Sequence, residues 1–449
     1  MHERSTQHSQ LDLARAAQRL REETDLLCAL EARGGLSHRA PAAGVEIETW
    51  LVDRFGRPAP QGPALIAALH SPDVVPGRAR FQVVLRLAAQ AIAADGLTRL
   101  MRELQSVLSR CQEAAQSLNL RLLTIGILPT VDDADLASPN ISVADRSAVL
   151  ASCRIEIAGL RERLSTEHRG IVPAAAATSL RAQLQLAPEV AARFLNASTI
   201  AAFASAGLAA NAPYLLGAEL WEDTRIALLQ ELRVDGFIAS PEDYFRANQE
   251  QPTQAIAADE PRQRFAQLRL HNALAPRWNR LQVSFADDGS PQLLIEQFAM
   301  APGPTPADIM ANLSFHYGLT ASLATDPDPP ELRLDAMAAH TNLHNVARAG
   351  LGAEVAWFDR ERMPLRTLAI VELIERAYEG LHQLGVDEEV AQRHLSLIER
   401  RVAGGQTGAV WQRRFVHAHG RNFGLLVREY AARQLGGTPV HEWNLRRLT

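Results

Sequence analysis

The chain has 449 residues, of which 47% are hydrophobic and 22% are charged, and its net charge is −5. This composition is typical of a globular protein with one large domain or two smaller ones. It argues against a nucleic-acid-binding protein, whose charge balance would be basic.

The absence of lysine and the scattered positions of the cysteines exclude further classes of function. All 46 lysine-or-arginine residues are arginine, which excludes a Walker A lysine, a Schiff-base lysine and a lysine nucleophile. Cys28, Cys111 and Cys153 lack the spacing of a zinc site or a disulfide framework. A polar N-terminus without an apolar leader, and no apolar run of about 18 residues, predict a cytoplasmic protein without a membrane span.

In chain order, the first predicted element is a helix over residues 11–31, where apolar residues recur at helical spacing. Six strand-like runs follow, most of them alternating between apolar and polar side chains, at 45–53, 79–87, 121–128, 179–186, 279–285 and 293–300. Helices are predicted at 96–118, 143–163, 189–209, 306–321, 334–348, 364–384, 387–403 and 408–434. A strand-rich front and a helical back predict the α+β class.

Acidic residues stand on interior-looking faces of the predicted strands. Glu46 and Glu48 are two residues apart, so a strand places both carboxylates side by side, where they repel unless cations neutralise them. Glu296 lies in an apolar run and needs a partner if it is buried. Three carboxylates in one cleft suit hard cations such as Mg²⁺ or Mn²⁺. The alternative is that Glu46 and Glu48 form the solvent face of an edge strand and pair with arginines.

Two further segments combine arginine with amide and aromatic side chains. One contains Arg225, and the other contains His271, Asn272, Arg277 and Asn279. The planar fork of arginine suits carboxylate and phosphate oxygens. A packed loop with surface salt bridges is the simpler interpretation of such a cluster when nothing else accompanies it.

Taken in order, these segments resemble the second family of glutamate–cysteine ligases, in particular its bacterial carboxylate–amine ligase-like branch. The resemblance is carried by GVEIETWLVD from residue 44, TIGILPTVDDADL from 124, ANAPYLLGAELWEDTRIALLQ from 210, LRLHNALAPRWNR from 268, LLIEQFAMAPGPTPADIMAN from 293, ARAGLGAEVAWFD from 347, GGQTGAVWQRRF from 404 and GTPVHEW from 437. No single segment is specific, but their common order indicates homology over nearly the whole chain.

The resemblance implies a glutamine-synthetase-like catalytic fold, a curved antiparallel sheet of about six strands with helices on one face. The implied reaction uses ATP and Mg²⁺ or Mn²⁺: a carboxylate such as the γ-carboxylate of glutamate is phosphorylated, and an amine then displaces the phosphate. The expected partners are a small carboxylate and an amine, with no nucleic acid and no membrane, and a homo-oligomer is possible through the helical back. The predicted division is an N-terminal helix at 1–36, a catalytic sheet with helices at 37–322, and a helical part at 323–449 packed on the same domain.

Carried over residue by residue, the resemblance implies three sets of site residues. The metal-binding set is Glu46, Glu48 and Glu296, the catalytic set is Arg225 and Arg277, and the substrate- or nucleotide-binding set is His271, Asn272, Asn279, Gln183 and Arg86.

Three positions depart from the family pattern. Val84 stands where the second strand usually has an acid, Gln183 where a histidine is usual, and Phe298 where an arginine is usual. If each lost group contributes a few kcal/mol to the transition state, the rate falls by many orders of magnitude. Arg86 offers a further possibility, because a cation beside Glu46 and Glu48 would turn a metal cluster into a salt-bridge network. Because Glu46, Glu48, Glu296 and Arg225 are retained in their contexts, the interpretation that the sequence favours is an active ligase with altered substrate choice. The alternative is a catalytically silent relative that binds a metabolite or a protein.

Overall fold

The computed structural model describes residues 2–141, 152–159, 161–169, 172–229, 236–251, 264–275 and 277–445. The central feature is a curved antiparallel sheet, whose strands differ in length, with helices packed against it. The strands are β1 Ala42–Val52, β2 Val74–Pro76, β3 Gln82–Ala91, β4 Arg121–Leu123, β5 Ser152–Ala158, β6 Arg163–Arg169, β7 Leu180–Leu186, β8 Tyr214–Leu215, β9 Ala218–Glu219, β10 Asn279–Phe285, β11 Pro291–Gln297, β12 Glu354–Val355 and β13 Met363–Pro364.

The helices lie mostly in the second half of the chain. They are α1 His2–Glu31, α2 Gly62–Leu69, α3 Gly96–Ser117, α4 Val172–Ala175, α5 Pro188–Leu208, α6 Thr224–Leu228, α7 Pro241–Gln249, α8 Ala266–Leu274, α9 Pro306–Thr325, α10 Pro330–Arg333, α11 Ala336–Ala349, α12 Leu365–Leu368, α13 Ile374–Gln383, α14 Glu388–Gly404, α15 Gly408–His419 and α16 Phe423–Gly436.

The strand order of the main sheet is β10-β11-β7-β1-β3-β2, and β4 also pairs with β1. All of these pairings are antiparallel. Alternation along each strand separates two faces. On β1, Val45 and Ile47 are fully buried on one face, whereas Glu46 and Glu48 lie on the other. The apolar face is covered by α5 and α9, which are buried along almost their whole length and contact each other.

The α+β class and the antiparallel sheet predicted from the sequence are confirmed. Each of the six predicted strand runs contains a strand of the main sheet, although the run at 121–128 provides only the three residues of β4. The predicted helix at 143–163 is wrong where it can be compared, because β5 and β6 form an antiparallel hairpin there; residues 142–151 lie outside the described part of the chain. The predicted helix at 408–434 is two helices, separated at Gly420, whose φ of 76° is unfavourable for other residues.

None of the helices in the described ranges is long and apolar enough to cross a membrane.

Candidate functional site

The polar face of the sheet brings together the side chains that the sequence placed on separate strands. In the sheet register, Glu46 of β1 lies opposite Arg86 of β3 and Arg181 of β7. Glu296 of β11 lies opposite Arg280 of β10 and residue 183 of β7. Because paired residues point to the same face, three carboxylates and three guanidinium groups converge. We call these six side chains the Glu–Arg cluster: Glu46, Glu48, Glu296, Arg86, Arg181 and Arg280.

Arg181 is the central cation of the Glu–Arg cluster. Its Nη2 lies 2.9 Å from Glu48 Oε1, and its Nη1 lies 3.6 Å from Glu46 Oε2 and 3.9 Å from Glu296 Oε1. The Arg181 side chain is only 20% exposed. One guanidinium therefore interacts with all three carboxylates.

The two outer arginines complete the charge balance. Arg86 Nε lies 3.0 Å from Glu46 Oε1, and Arg280 Nη2 lies 2.7 Å from Glu296 Oε2. Arg280 also donates to the backbone carbonyl of Ala273 at the end of α8, and its guanidinium lies 4.5 Å from the ring centroid of Phe298. Three negative and three positive side chains leave the cluster without net charge.

Neutral donors also contact two of the carboxylate oxygens. The backbone N–H of Ser179 donates to Glu48 Oε2 at 2.8 Å, and Gln183 Nε2 donates to Glu296 Oε1 at 3.3 Å. All six oxygens of the three carboxylates thus have a donor or cationic partner. Such satisfaction is what a buried carboxylate requires.

The surroundings shift the pKa values of these groups in different directions. Burial is the largest influence on Glu46 and raises its pKa, with Arg181 and Arg86 opposing the effect. Burial also disfavours ionised Glu296, but Arg280 and Arg181 outweigh it and hold the pKa of Glu296 below its usual value. The three carboxylates keep the pKa of Arg181 raised against its burial. Arg181 therefore stays charged.

These residues do not fit a divalent cation in this arrangement. A Mg²⁺ or Mn²⁺ ion needs open oxygen ligands, and the oxygens of Glu46, Glu48 and Glu296 are already engaged by arginines and other donors. Across the described ranges, no cluster of three or more His, Cys, Asp or Glu side chains could hold a metal ion. Val84, which lies opposite Glu48 in the register, adds no oxygen.

Arg225, carried over as catalytic, is fully buried and has Asp223, not a carboxylate of the Glu–Arg cluster, as its ion-pair partner. Its Nε and Nη2 bind the Asp223 carboxylate at 3.0 and 2.6 Å. Its remaining N–H groups donate to Thr178 O, Ser179 Oγ and Ala299 O. All five donors are used within the protein, so the geometry gives Arg225 a structural role and leaves no N–H for a phosphate.

The other carried-over residues lie at the β10 end of the sheet. His271 Nε2 is 2.6 Å from Asn248 O, and Asn272 Nδ2 donates to Leu281 O at 3.3 Å; both are buried in α8. Asn279 accepts from Ser198 Oγ at 2.7 Å on the helix-covered face. Arg277 stacks over the ring of Tyr244 at 4.6 Å. Arg277 and Asn279 line a small cavity of about 70 Å³ with residues of α5 and α11, whereas the Glu–Arg cluster is on the opposite face of the sheet.

Arg181 and Arg280 are the two members of the Glu–Arg cluster that the sequence analysis does not single out. A signal for Arg181 was present, because it stands two residues before Gln183 and therefore shares its strand face. Arg86, by contrast, was named beforehand as a possible replacement for a metal, and it does lie beside Glu46.

The antiparallel sheet, with helices on one face and acids with arginines on the other, accompanies a sequence match to the carboxylate–amine ligase class. Residues 42–429 match glutamate–cysteine ligase family 2, and the chain belongs to that family.

Solved structures share the fold at low sequence identity. A glutamate–cysteine ligase from Francisella tularensis, in complex with AMP, is 14% identical over 89% of this chain and 90% of its own, with a TM-score of 0.55. A bifunctional glutathione synthetase from Pasteurella multocida is 10% identical over 90% of this chain and 54% of its own, with a TM-score of 0.50. Comparison with curated protein sequences gives no significant match.

Proposed function

We propose that this protein keeps the fold of a carboxylate–amine ligase but has lost metal-dependent phosphoryl transfer, and that it binds a small carboxylate-bearing metabolite. The observation that carries the proposal is the contact of Arg181 with Glu46, Glu48 and Glu296. In the family's reaction these acids would hold metal ions on the ATP phosphates. Here a guanidinium of the chain itself neutralises them.

The substituted positions support the same conclusion. Val84 cannot ligate a metal, Gln183 offers an oxygen without charge, and Phe298 packs under Arg280 and cannot stabilise a phosphoryl group. Each change removes charge stabilisation from the transition state, and Arg181 and Arg280 supply no replacement because they are paired with glutamates.

Arg86 is the group through which we expect a metabolite carboxylate to bind. Its side chain is 54% exposed, and Nε is used for Glu46. Its two terminal nitrogens have no partner among the described residues, and a guanidinium edge of this kind suits bidentate contact with a carboxylate.

The test is ADP release by the purified protein with Mg-ATP, glutamate and a panel of amino acids and amines. The matched control is the Glu46→Gln/Glu48→Gln variant. We expect no release above the control. Calorimetry with the same carboxylates, without ATP, should detect binding that the Arg86→Gln variant weakens by about tenfold or more, as loss of a charge-assisted hydrogen bond predicts. A panel without any binding carboxylate contradicts the metabolite role.

An ATP-dependent carboxylate–amine ligase is the second candidate, favoured by the family match over residues 42–429. It would require Mg²⁺ or Mn²⁺ with ATP to displace the arginines from Glu46, Glu48 and Glu296. ADP release that needs both a carboxylate and an amine, and that disappears in the Glu46→Gln/Glu48→Gln control, would establish this activity and begin to identify the substrates.

A further inference from the structure

The arrangement around Arg181 has an unusual feature, which is one cation shared by three acids from two strands. Glu46 and Glu48 extend from β1 and Glu296 from β11, and β7, which carries Arg181, lies between those strands in the sheet. The three glutamate side chains are between 7% and 16% exposed. Carboxylates this close and this buried cannot all stay ionised without positive charge among them.

Arg86 and Arg280 cannot provide that charge alone. Arg86 contacts Glu46, and Arg280 contacts Glu296, while the cationic partner of Glu48 is Arg181. Without Arg181, Glu48 would keep only the Ser179 N–H, and Glu46 Oε2 would lose its cation. The cluster would then hold one uncompensated negative charge and several open carboxylate oxygens, the ligand type that divalent cations prefer.

We propose that Arg181 is a resident cation that takes the place of a divalent metal ion, holding the three acids together and keeping metal out of the site. This inference rests on the proposed function, since it explains how metal-dependent chemistry is lost at the same site. It predicts that replacing the Arg181 guanidinium by a neutral side chain exposes a cation-binding site.

The inference is tested on the full chain with Mn²⁺ as the probe, by electron paramagnetic resonance of free Mn²⁺ and by thermal unfolding. We expect the wild type to bind no Mn²⁺ at millimolar concentration and to show no change in Tm. The Arg181→Gln variant should unfold about 5 °C or more below the wild type because a buried ion pair is broken. Mn²⁺ should bind to this variant and restore most of the lost Tm.

The matched control is Arg181→Gln/Glu48→Gln, which removes the cation together with its closest acid. It should be more stable than Arg181→Gln alone and insensitive to Mn²⁺. Binding of Mn²⁺ by the wild type, or an Arg181→Gln variant whose Tm does not respond to Mn²⁺, overturns the inference. So does a variant that stays insoluble with Mn²⁺ present while the control is soluble.

The two tests fail in different ways. Wild-type Mn²⁺ binding without ADP release would reject the resident cation and leave the loss of phosphoryl transfer intact. ADP release that depends on carboxylate and amine, without Mn²⁺ binding in the absence of ATP, would reject the proposed function and leave Arg181 as the cation of the free protein.

Discussion

Arg181 and Arg225 are both largely buried arginines, yet their hydrogen bonds give them different roles. All five N–H groups of Arg225 reach protein acceptors, which join the segment before β7 to the segment after β11. Arg181 faces three carboxylates, and its Nε is buried without a hydrogen-bond partner in the described part of the chain. Arg225 thus holds two backbone segments together, whereas Arg181 neutralises the carboxylates of the Glu–Arg cluster.

Replacing Arg225 by methionine should cost about 3–5 kcal/mol of unfolding free energy, because Asp223 would stay buried without its cation. Urea unfolding measures this. The comparison variant is Arg86→Gln, whose half-exposed ion pair should change stability by about 1 kcal/mol or less. An Arg225→Met variant as stable as Arg86→Gln would contradict the structural role and return Arg225 to the list of candidates for ligand contact.

For individual residues, the sequence predicted which acids share a strand face but not which side chains neutralise them. Glu46 and Glu48 could be placed on one face because strand alternation is local information. That Arg181 reaches both strands of acids depends on the order of β11, β7 and β1 in the sheet, and strand order is not contained in any one segment. The choice between a metal and an arginine partner could therefore not be settled from the sequence.

The helices α9 and α13 cross in close contact, and this crossing depends on two glycines. A Cβ atom on Gly318 would lie 2.1 Å from Ala377 O, and one on Gly380 would lie 1.8 Å from Gly318 O. The helix backbones therefore touch directly. Since α9 is buried from Asp308 to Ala324, any separation of these helices would disturb its packing against α5 as well.

The Gly318→Ala substitution should destabilise the protein by about 2 kcal/mol or more, because neither backbone can move without opening the interface. Gly404→Ala, at the end of α14, is the matched control: nothing lies within 4 Å of its added Cβ, and alanine should improve helix stability by up to about 1 kcal/mol. Denaturant unfolding of both variants makes the comparison. Equal stability of the two variants would show that the helices can separate at little cost.

Helices and strands with a clear periodic pattern of apolar residues were predicted well. Elements without such a pattern were not. Apolar residues recur at every second position on the main strands, as Val45 and Ile47 do on β1, and the sequence shows this alternation. The β5–β6 hairpin was missed even though Ile155 and Ile157 are both buried at strand spacing, because the run is short and lies among charged residues. The boundary between α15 and α16 falls at Gly420, which the sequence did not distinguish from a glycine inside a helix.

The C-terminal helices are bound to the sheet through buried polar contacts. Tyr430 of α16 donates to Thr124 O at 2.8 Å and accepts from Asn211 at 2.8 Å. Gln434 accepts a hydrogen bond from the hydroxyl of Thr124, which follows β4, and donates one to the carbonyl of Leu122, which lies within β4. Unfolding of the helical part would leave these groups unpaired, so we expect the described part of the chain to unfold cooperatively.

Two buried histidines in this core should make the stability of the whole molecule depend on pH. His316 lies between the hydroxyls of Ser198 and Ser205, and His394 contacts the hydroxyl of Ser314 at 2.8 Å. Burial lowers the pKa of His316 to about 3 and that of His394 to about 4. Both rings are therefore neutral in the folded state at a pH where the unfolded chain takes up protons.

This difference in proton binding sets the direction in which the unfolding free energy changes with pH. Below the unfolded histidine pKa of about 6.5 the unfolded state binds more protons, so stability falls as pH decreases, by up to about 1.4 kcal/mol per pH unit for each histidine. Glu46 acts in the opposite direction, because its pKa is raised in the folded state. The histidine contribution is therefore the difference between wild type and His316→Gln/His394→Gln, measured by urea unfolding at pH 7 and pH 5. Between pH 7 and pH 5 the double variant should lose less unfolding free energy than the wild type. Equal losses would mean that both rings are protonated in the folded protein at pH 5.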